Sequence, residues 1–256
     1  MRAAYISPEF AVFDDVLAPE AQRAFWQMFL NSRLKTIHAD GVRAYFRPSD
    51  GNPYTSGNIA WTTTPIEALL PPGVSAAQLP VQFYPTKSPL DPVFEALREA
   101  VRPCAEAVGR EGSDWIGVLA RLYAYPAGTG ISWHSDDSDV TGAFIFYANP
   151  RWDVQWGGEL MVAEPSVRYQ LLHGHEHDFD NQHESQVLLR TGVGRYVMPK
   201  PNRLVFLGAG NPHMVAKVAA SAGDHVRASL AGFFMTRTGI AKLIEPWLGA
   251  QSRGER

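Results

Sequence analysis

His134 and Asp136 stand one residue apart, and His213 follows much later in the chain. On an extended segment side chains alternate with period two, so the imidazole and the carboxylate of a His-x-Asp triplet project to the same side. A second imidazole delivered from a distant strand would complete a set of two nitrogens and one carboxylate. Such a set suits Fe(II) and leaves adjacent coordination positions open. Beyond His213 the chain reads Arg227-Ala228-Ser229. A planar guanidinium is shaped for a bidentate pair with a carboxylate, so Arg227 could hold the far end of a dicarboxylate co-substrate. Iron with such a co-substrate would make the protein an oxygenase that activates O2. A lone His-x-Asp is a common triplet and a strand-end histidine is ordinary, so the reading rests on what surrounds them.

The elements that must position these groups are mostly strands. From Asp114 onward, short segments rich in β-branched and aromatic residues recur at 115–125, 130–134, 142–147, 159–163, 203–207, 213–218 and 225–235, each bounded by turn residues. Before them, the apolar spacing predicts a helix over 19–30 with Pro19 in its first turn. Strands are expected at 42–47, 58–62 and 81–84. A second helix, capped by Asp91-Pro92, is expected to run to about Gly109 with an apolar stripe of Phe94, Leu97, Val101 and Val108. A last helix is expected over 240–248. The predicted fold class is mainly β with flanking helices, built on a double-stranded β-helix, the jelly-roll or cupin-like core. One domain spans 1–256: an N-terminal helical and strand layer (1–113), the jelly-roll core (114–236), and a C-terminal helix and tail (237–256).

Three blocks around the candidate ligands resemble the 2-oxoglutarate- and Fe(II)-dependent dioxygenases, in their prolyl-hydroxylase-like branch. The first runs from Arg121-Leu122-Tyr123-Ala124-Tyr125 through a Gly-rich turn to His134-Ser135-Asp136. The second joins Phe144-Ile145-Phe146-Tyr147 to Trp156-Gly157-Gly158-Glu159-Leu160. The third leads from Pro199-Lys200-Pro201-Asn202-Arg203 through His213 to Arg227 and Ser229. The resemblance implies that His134, Asp136 and His213 ligate iron and that Arg227 and Ser229 bind the distal carboxylate of 2-oxoglutarate. It implies that Tyr147 assists there and that Tyr125 lines the co-substrate pocket, although plain core packing accounts for either tyrosine as well. Fe(II), 2-oxoglutarate and O2 are the implied cofactor and co-substrates, with ascorbate in support. The implied reaction releases succinate and CO2 while hydroxylating a C–H bond. The carboxylate of Asp136 points away from the family's halogenases, in which Gly or Ala stands there. Desaturation and cyclisation use the same triad.

Substrate contacts are harder to read. Arg121 shares a strand face with Tyr123 and Tyr125; a cation buried there would need an anionic partner, a substrate carboxylate being one. Asp137, Asp139 and Trp152 lie near the expected cavity mouth, while Trp133 should face away from its ligand neighbour into packing. Residues 169–195 form an insertion that holds His173, His175, His177 and His183. It reads as a solvated polar loop, with a second metal site and a substrate-gating lid as rivals.

Composition bounds the partners. A net charge of −3 and an absent Arg-rich tail after the second His argue against nucleic acid and the demethylase branch. Single Cys104 excludes an intramolecular disulfide framework and falls on the apolar stripe of the second helix. No apolar run is long enough for a membrane span and no signal-peptide core opens the chain, so a cytoplasmic monomer or homodimer acting on a small molecule is expected. The amino-acid or peptide-derived natural product class fits that expectation. A protein hydroxylase of the prolyl type and a non-catalytic cupin-like binding protein are the alternatives.

Overall fold

The computed structural model describes residues 1–39, 46–70, 72–136, 139–170 and 182–252. The chain opens with the hairpin β1 (Arg2–Ile6) and β2 (Phe10–Asp14), then helix α1 (Pro19–Leu30). Short strands β3 (Lys35–Thr36), β4 (Tyr54–Thr55), β5 (Asn58–Thr62) and β6 (Val81–Phe83) follow. Helices α2 (Asp91–Val101) and α3 (Ala105–Val108) lead into β7 (Gly117–Tyr125), β8 (Ile131–His134), β9 (Val140–Tyr147) and β10 (Leu160–Ala163). Helices α4 (Pro165–Gln170) and α5 (Gln182–Thr191) precede β11 (Gly194–Val197), β12 (Leu204–Gly208), β13 (His213–Val215) and β14 (Arg227–Met235). Helix α6 (Arg237–Ser252) comes last.

Two sheets face each other. The larger runs β1-β2-β12-β9-β14-β7-β4-β3, with β5 also paired to β7 and to β6; the smaller runs β11-β10-β13-β8. Antiparallel pairing throughout, apart from β5 with β6, gives the jelly roll that the strand pattern predicts. Alternation then sorts each strand of the larger sheet into two faces. Phe144 and Phe146 on β9, Phe206 on β12, and Leu230 and Phe234 on β14 point outward into the main core. There they meet Phe25 and Phe29 of α1, and Phe94, Leu97 and Val101 of α2. Phe25 stands edge-on to Phe146 at 5.4 Å between centroids. Cys104 is buried in the same core, where desolvation pushes its thiol up to about 11, so it packs as an apolar group.

The β-hairpin at the N-terminus is not among the elements expected within the helical and strand layer of 1–113. It extends the larger sheet through the pairing of β2 with β12, and Asp14 fastens it. The Asp14 carboxylate accepts from Arg203 Nε at 2.7 Å and Lys200 Nζ at 2.8 Å, and Arg2 approaches at 3.3 Å. Burial pushes this carboxyl up, but the bonds and charges of Arg203 and Lys200 outweigh it and hold the group down at about 2.

Three further expectations need correction. The second helix breaks into a 3-10 turn at Arg102–Cys104, because Pro103 cannot donate to the helical ladder. Asp91 does not cap that helix; it is its first residue, and its carboxylate accepts from the backbone of Thr86 and Lys87, clamping the preceding loop. The insertion at 169–195 is not simply a loop, since α5 and β11 take up much of its second half. The strand expected at 42–47 falls largely outside the described residues; Phe46 and Arg47 are not in a strand. Among the described residues, no helix is long and apolar enough to cross a membrane.

Candidate metal centre

The smaller sheet brings the two histidines together. His134 ends β8, His213 begins β13, and the register pairs them directly, with ring centroids 4.2 Å apart. Asp136 lies two residues past His134, and one ligand atom from each of the three side chains falls within 4.8 Å of the others. Each imidazole is oriented through its far nitrogen. His134 Nδ1 lies 2.8 Å from the Ser132 carbonyl and His213 Nδ1 lies 2.8 Å from the Asn211 carbonyl. A carbonyl only accepts, so both Nδ1 atoms carry the proton and both Nε2 lone pairs are left for a ligand. Asp50 steadies the strand from outside by accepting from Ser132 N at 2.9 Å and from the Ser132 hydroxyl.

The electrostatics suit a cation between these groups. Burial, helped by His213 and Arg47, pushes His134 down to about 3, so the imidazole is neutral as a ligand must be. Burial also pushes the Asp136 carboxyl up, and among the described residues its Oδ2 has no hydrogen-bond partner. A buried carboxylate beside two imidazole nitrogens has a strong claim on a metal ion. The three residues therefore fit Fe(II).

The facing wall is built by register. Arg227 pairs with Tyr125, Ser229 pairs with Tyr123 on one side and Tyr147 on the other, and Ala231 pairs with Arg121 and Ile145. These residues alternate with the outward-facing phenylalanines, so they look into the space between the sheets. Arg227 is 1% exposed, and among the described residues its Nε and Nη2 have no partner. The Ser229 hydroxyl and the Tyr147 hydroxyl are also buried without partners among the described residues. The guanidinium carbon sits 4.9 Å from the Tyr147 ring centroid and 5.2 Å from that of Tyr125. A buried cation with two idle donors and two idle hydroxyls nearby is a costly arrangement unless an anion completes it. The distal carboxylate of 2-oxoglutarate has the right chemistry to do so.

The Gly157-Gly158 pair in the sequence finds its reason here. Gly158 has φ +78° and an added Cβ would lie 2.7 Å from Arg227 Cδ, while one on Gly157 would lie 2.5 Å from the Lys217 carbonyl. Only glycine lets this chain pass behind the guanidinium.

A cavity of about 380 Å³ joins the two walls. Its lining includes His134, Asp136, His213, Arg227, Ser229 and Tyr125. Arg121 and Asp139 also line it, Arg121 Nε donating to Asn58 Oδ1 at 2.7 Å and Asp139 pairing with Lys242 at 2.7 Å. Tyr147 is beside Arg227 but is not one of the lining residues. Trp152 does not reach the cavity: its Nε1 donates to the Gly157 carbonyl at 3.0 Å and its ring packs on Trp156. Trp133 packs on Val167 and Val187, as alternation predicts. Asp137, His173, His175 and His177 lie outside the described residues, and His183 falls in α5. Sequence reading did not single out Tyr123 as a site residue, although its alternation with Arg121 and Tyr125 carried the signal. Asn58 was missed because nothing in sequence announces the pairing of β5 with β7.

The comparisons bear on these same residues. A family model described as "2OG-Fe(II) oxygenase superfamily" matches residues 120–235. No curated protein sequence matches the chain. Among solved structures, a prolyl-4-hydroxylase from Pseudomonas putida is similar over 89% of this chain and 92% of its own, at 16% identity and a TM-score of 0.53. A prolyl hydroxylase from Trichoplax adhaerens, solved with a hypoxia-inducible-factor degradation-domain peptide, is similar over 92% of this chain and 87% of its own. Its identity is also 16% and its TM-score 0.55. At this identity the two structures speak to the fold.

Proposed function

Because the chain belongs to the 2OG-Fe(II) oxygenase superfamily through residues 120–235, we propose that it hydroxylates an unactivated C–H bond of a small molecule, an amino acid or a peptide-derived natural product. It is a dioxygenase, and Fe(II), 2-oxoglutarate and O2 are the cofactor and co-substrates of its family. When bound together they supply the oxidation: 2-oxoglutarate becomes succinate and CO2, one oxygen atom enters succinate, and the other enters the C–H bond. In this reading His134, Asp136 and His213 hold the iron, with Ser132 and Asn211 carbonyls fixing the imidazoles. Arg227 and Ser229 bind the far carboxylate, Tyr147 adds a hydroxyl, and Tyr125 walls the guanidinium from water. The reading takes the whole chain as one domain.

The observation that carries the proposal is the buried Arg227, its donors idle, in one cavity with the three ligands. The test is succinate release from 2-oxoglutarate with iron and a substrate panel. His134→Ala should lose iron and turnover together; turnover that survives this change would sink the assignment.

A small substrate is favoured by size. The cavity of about 380 Å³ lies low in the range of roughly 300–1,000 Å³ for ligand pockets, and 2-oxoglutarate must share it. The second reading is a protein hydroxylase of the prolyl type, since one similar structure holds a peptide. Mass spectrometry after incubation with free amino acids and with proline-containing peptides separates the two by which molecule gains an oxygen atom.

A further inference from the structure

Ile131 and His134 both line the cavity, although they stand three residues apart on β8. An unbroken strand would turn them to opposite faces. The register shows how both come to face inward. Ile131 pairs with Val215 and His134 with His213, so Ser132 and Trp133 together oppose the single Met214. Two residues against one make a β-bulge, which bends a strand and re-aims the side chains beyond it. The direction of His134 therefore depends on how the bulged residues are held. Trp133 packs outward on Val167 and Val187. Ser132 is the residue whose carbonyl accepts from His134 Nδ1 at 2.8 Å.

The ladder to β13 is broken at Ser132, so the support must come from the other side. There β8 is the outermost strand of the smaller sheet, and among the described residues its far edge meets no other strand. The 3-10 turn Pro48–Asp50 takes that place. Gly130 N and Ser132 N, two residues apart, both donate to Asp50, the first to its carbonyl at 3.0 Å and the second to its Oδ1 at 2.9 Å. The Ser132 hydroxyl donates to the same Oδ1. One residue thus supplies the two acceptors that a neighbouring strand would offer. Asp50 is itself fixed: it is 2% exposed, its Oδ2 accepts from Arg47 N at 2.8 Å, and its own N donates to the Arg47 carbonyl at 3.0 Å. Bonds to a carboxylate are stronger than bonds between neutral groups, so the clamp is stiff. Asp50 lies outside residues 120–235, the span that the family model matches.

We infer that Asp50 is a positioning residue of the metal centre. It holds the bulge at Ser132 and, through the Ser132 carbonyl, aims the His134 Nε2 lone pair at the space shared with Asp136 and His213. This rests on the oxygenase reading, in which His134 is an iron ligand, and adds to it a residue from the N-terminal layer.

The test is titration of Co(II) into metal-free protein, followed by visible absorption, which reads affinity and ligand geometry together. Asp50→Ala should weaken Co(II) by about tenfold to a hundredfold, as loss of a group that orients a metal-binding histidine does, and should change the absorption of the loaded protein. Asp50→Asn keeps an oxygen for Ser132 and should bind Co(II) within about threefold of the parent protein. Ser132→Ala gives up only the hydroxyl bond and should weaken Co(II) about fivefold. Asp14→Asn, whose lost partners Arg2, Lys200 and Arg203 are not on β8, lowers stability and should leave Co(II) affinity unchanged. Parent-like affinity and absorption in Asp50→Ala, no recovery in Asp50→Asn, or an equal loss in Asp14→Asn would each overturn the positioning role. If Asp50→Ala does not fold, Ser132→Ala decides, and parent-like binding there overturns it. A parent protein that binds no Co(II), or whose His134→Ala variant binds it equally well, would overturn the oxygenase reading, whereas a parent that needs His134 but ignores every change at Asp50 and Ser132 overturns this role alone.

Discussion

The two faces of β14 differ in chemistry although one strand carries both. Ala228, Leu230 and Phe234 point outward into a core of aromatic and aliphatic side chains under α1 and α2. Arg227 and Ser229 point inward and leave donors idle. Both faces are buried, so burial alone does not separate structure from function. What separates them is satisfaction. The outer face is packed and needs nothing more, while the inner face holds polar groups that lower its stability until ligands arrive. A single strand thus carries fold and site, and alternation keeps them apart.

The sharpest way to break that contrast is to exchange its costs. Arg227→Leu removes a buried cation with idle donors, so the ligand-free protein should melt at an equal or higher temperature. The same change should weaken 2-oxoglutarate by about a hundredfold or more, because losing one partner of a buried charge pair costs about 2–5 kcal/mol. A large drop in melting temperature without ligand would show that Arg227 supports the fold instead. Phe234→Ala should do the reverse. Its ring packs at a tilt against Trp115 at 4.9 Å, Phe206 at 5.7 Å and Phe144 at 5.9 Å, so truncation should cost about 3–5 kcal/mol in a denaturant melt. The affinity of the remaining folded protein for 2-oxoglutarate should hold. A changed affinity with unchanged stability would mean that the two faces are not separate.

The sequence made these two faces unequally legible. His-x-Asp, the later His213, and Arg227 with Ser229 could be read directly, since period-two alternation is a local rule. So could most core strands, whose β-branched and aromatic runs lie within a few residues of the observed β7 to β10 and β12 to β14, whereas β11 was read as part of a loop. The lost detail was non-local. The pairing of β2 with β12 joins segments nearly two hundred residues apart, and β5 beside β7 brings Asn58 to Arg121. Trp152 looked like a substrate contact because it was expected near the cavity mouth, but its indole turns back onto Gly157. The Gly-Gly pair itself was recognisable as a motif, yet only the close approach to Arg227 explains it.

Asp14 offers a smaller and pH-dependent contrast with the inner face, because its charge is fully matched. The folded carboxyl is held at about 2 against an unfolded value near 3.9. Its contribution is therefore complete above about pH 4 and is lost as pH falls toward about 2, a change on the order of 2 kcal/mol. Urea melts from pH 5 to pH 2 should show this loss, and Asp14→Asn should flatten that part of the profile. A profile as steep in the variant as in the parent protein would assign the acid sensitivity to other carboxylates.

Tyr147→Phe probes the inner face at its finest grain. The tyrosine is 1% exposed and its hydroxyl lacks a partner, so in the absence of ligand the oxygen brings desolvation cost and no compensating bond. Removing it should leave stability unchanged or slightly raised, since the ring and its packing against Leu160 and Val205 remain. With 2-oxoglutarate bound the balance reverses, because the hydroxyl lies beside Arg227 and can donate to the same carboxylate. One neutral donor contributes about 1 kcal/mol, so the KM for 2-oxoglutarate should rise about fivefold with little change in kcat. Ser229→Ala should behave in the same way, since Ser229 pairs directly with Tyr147 across the two strands. If Tyr147→Phe lowers stability and leaves KM alone, the hydroxyl is part of the core and the functional face ends at Ser229.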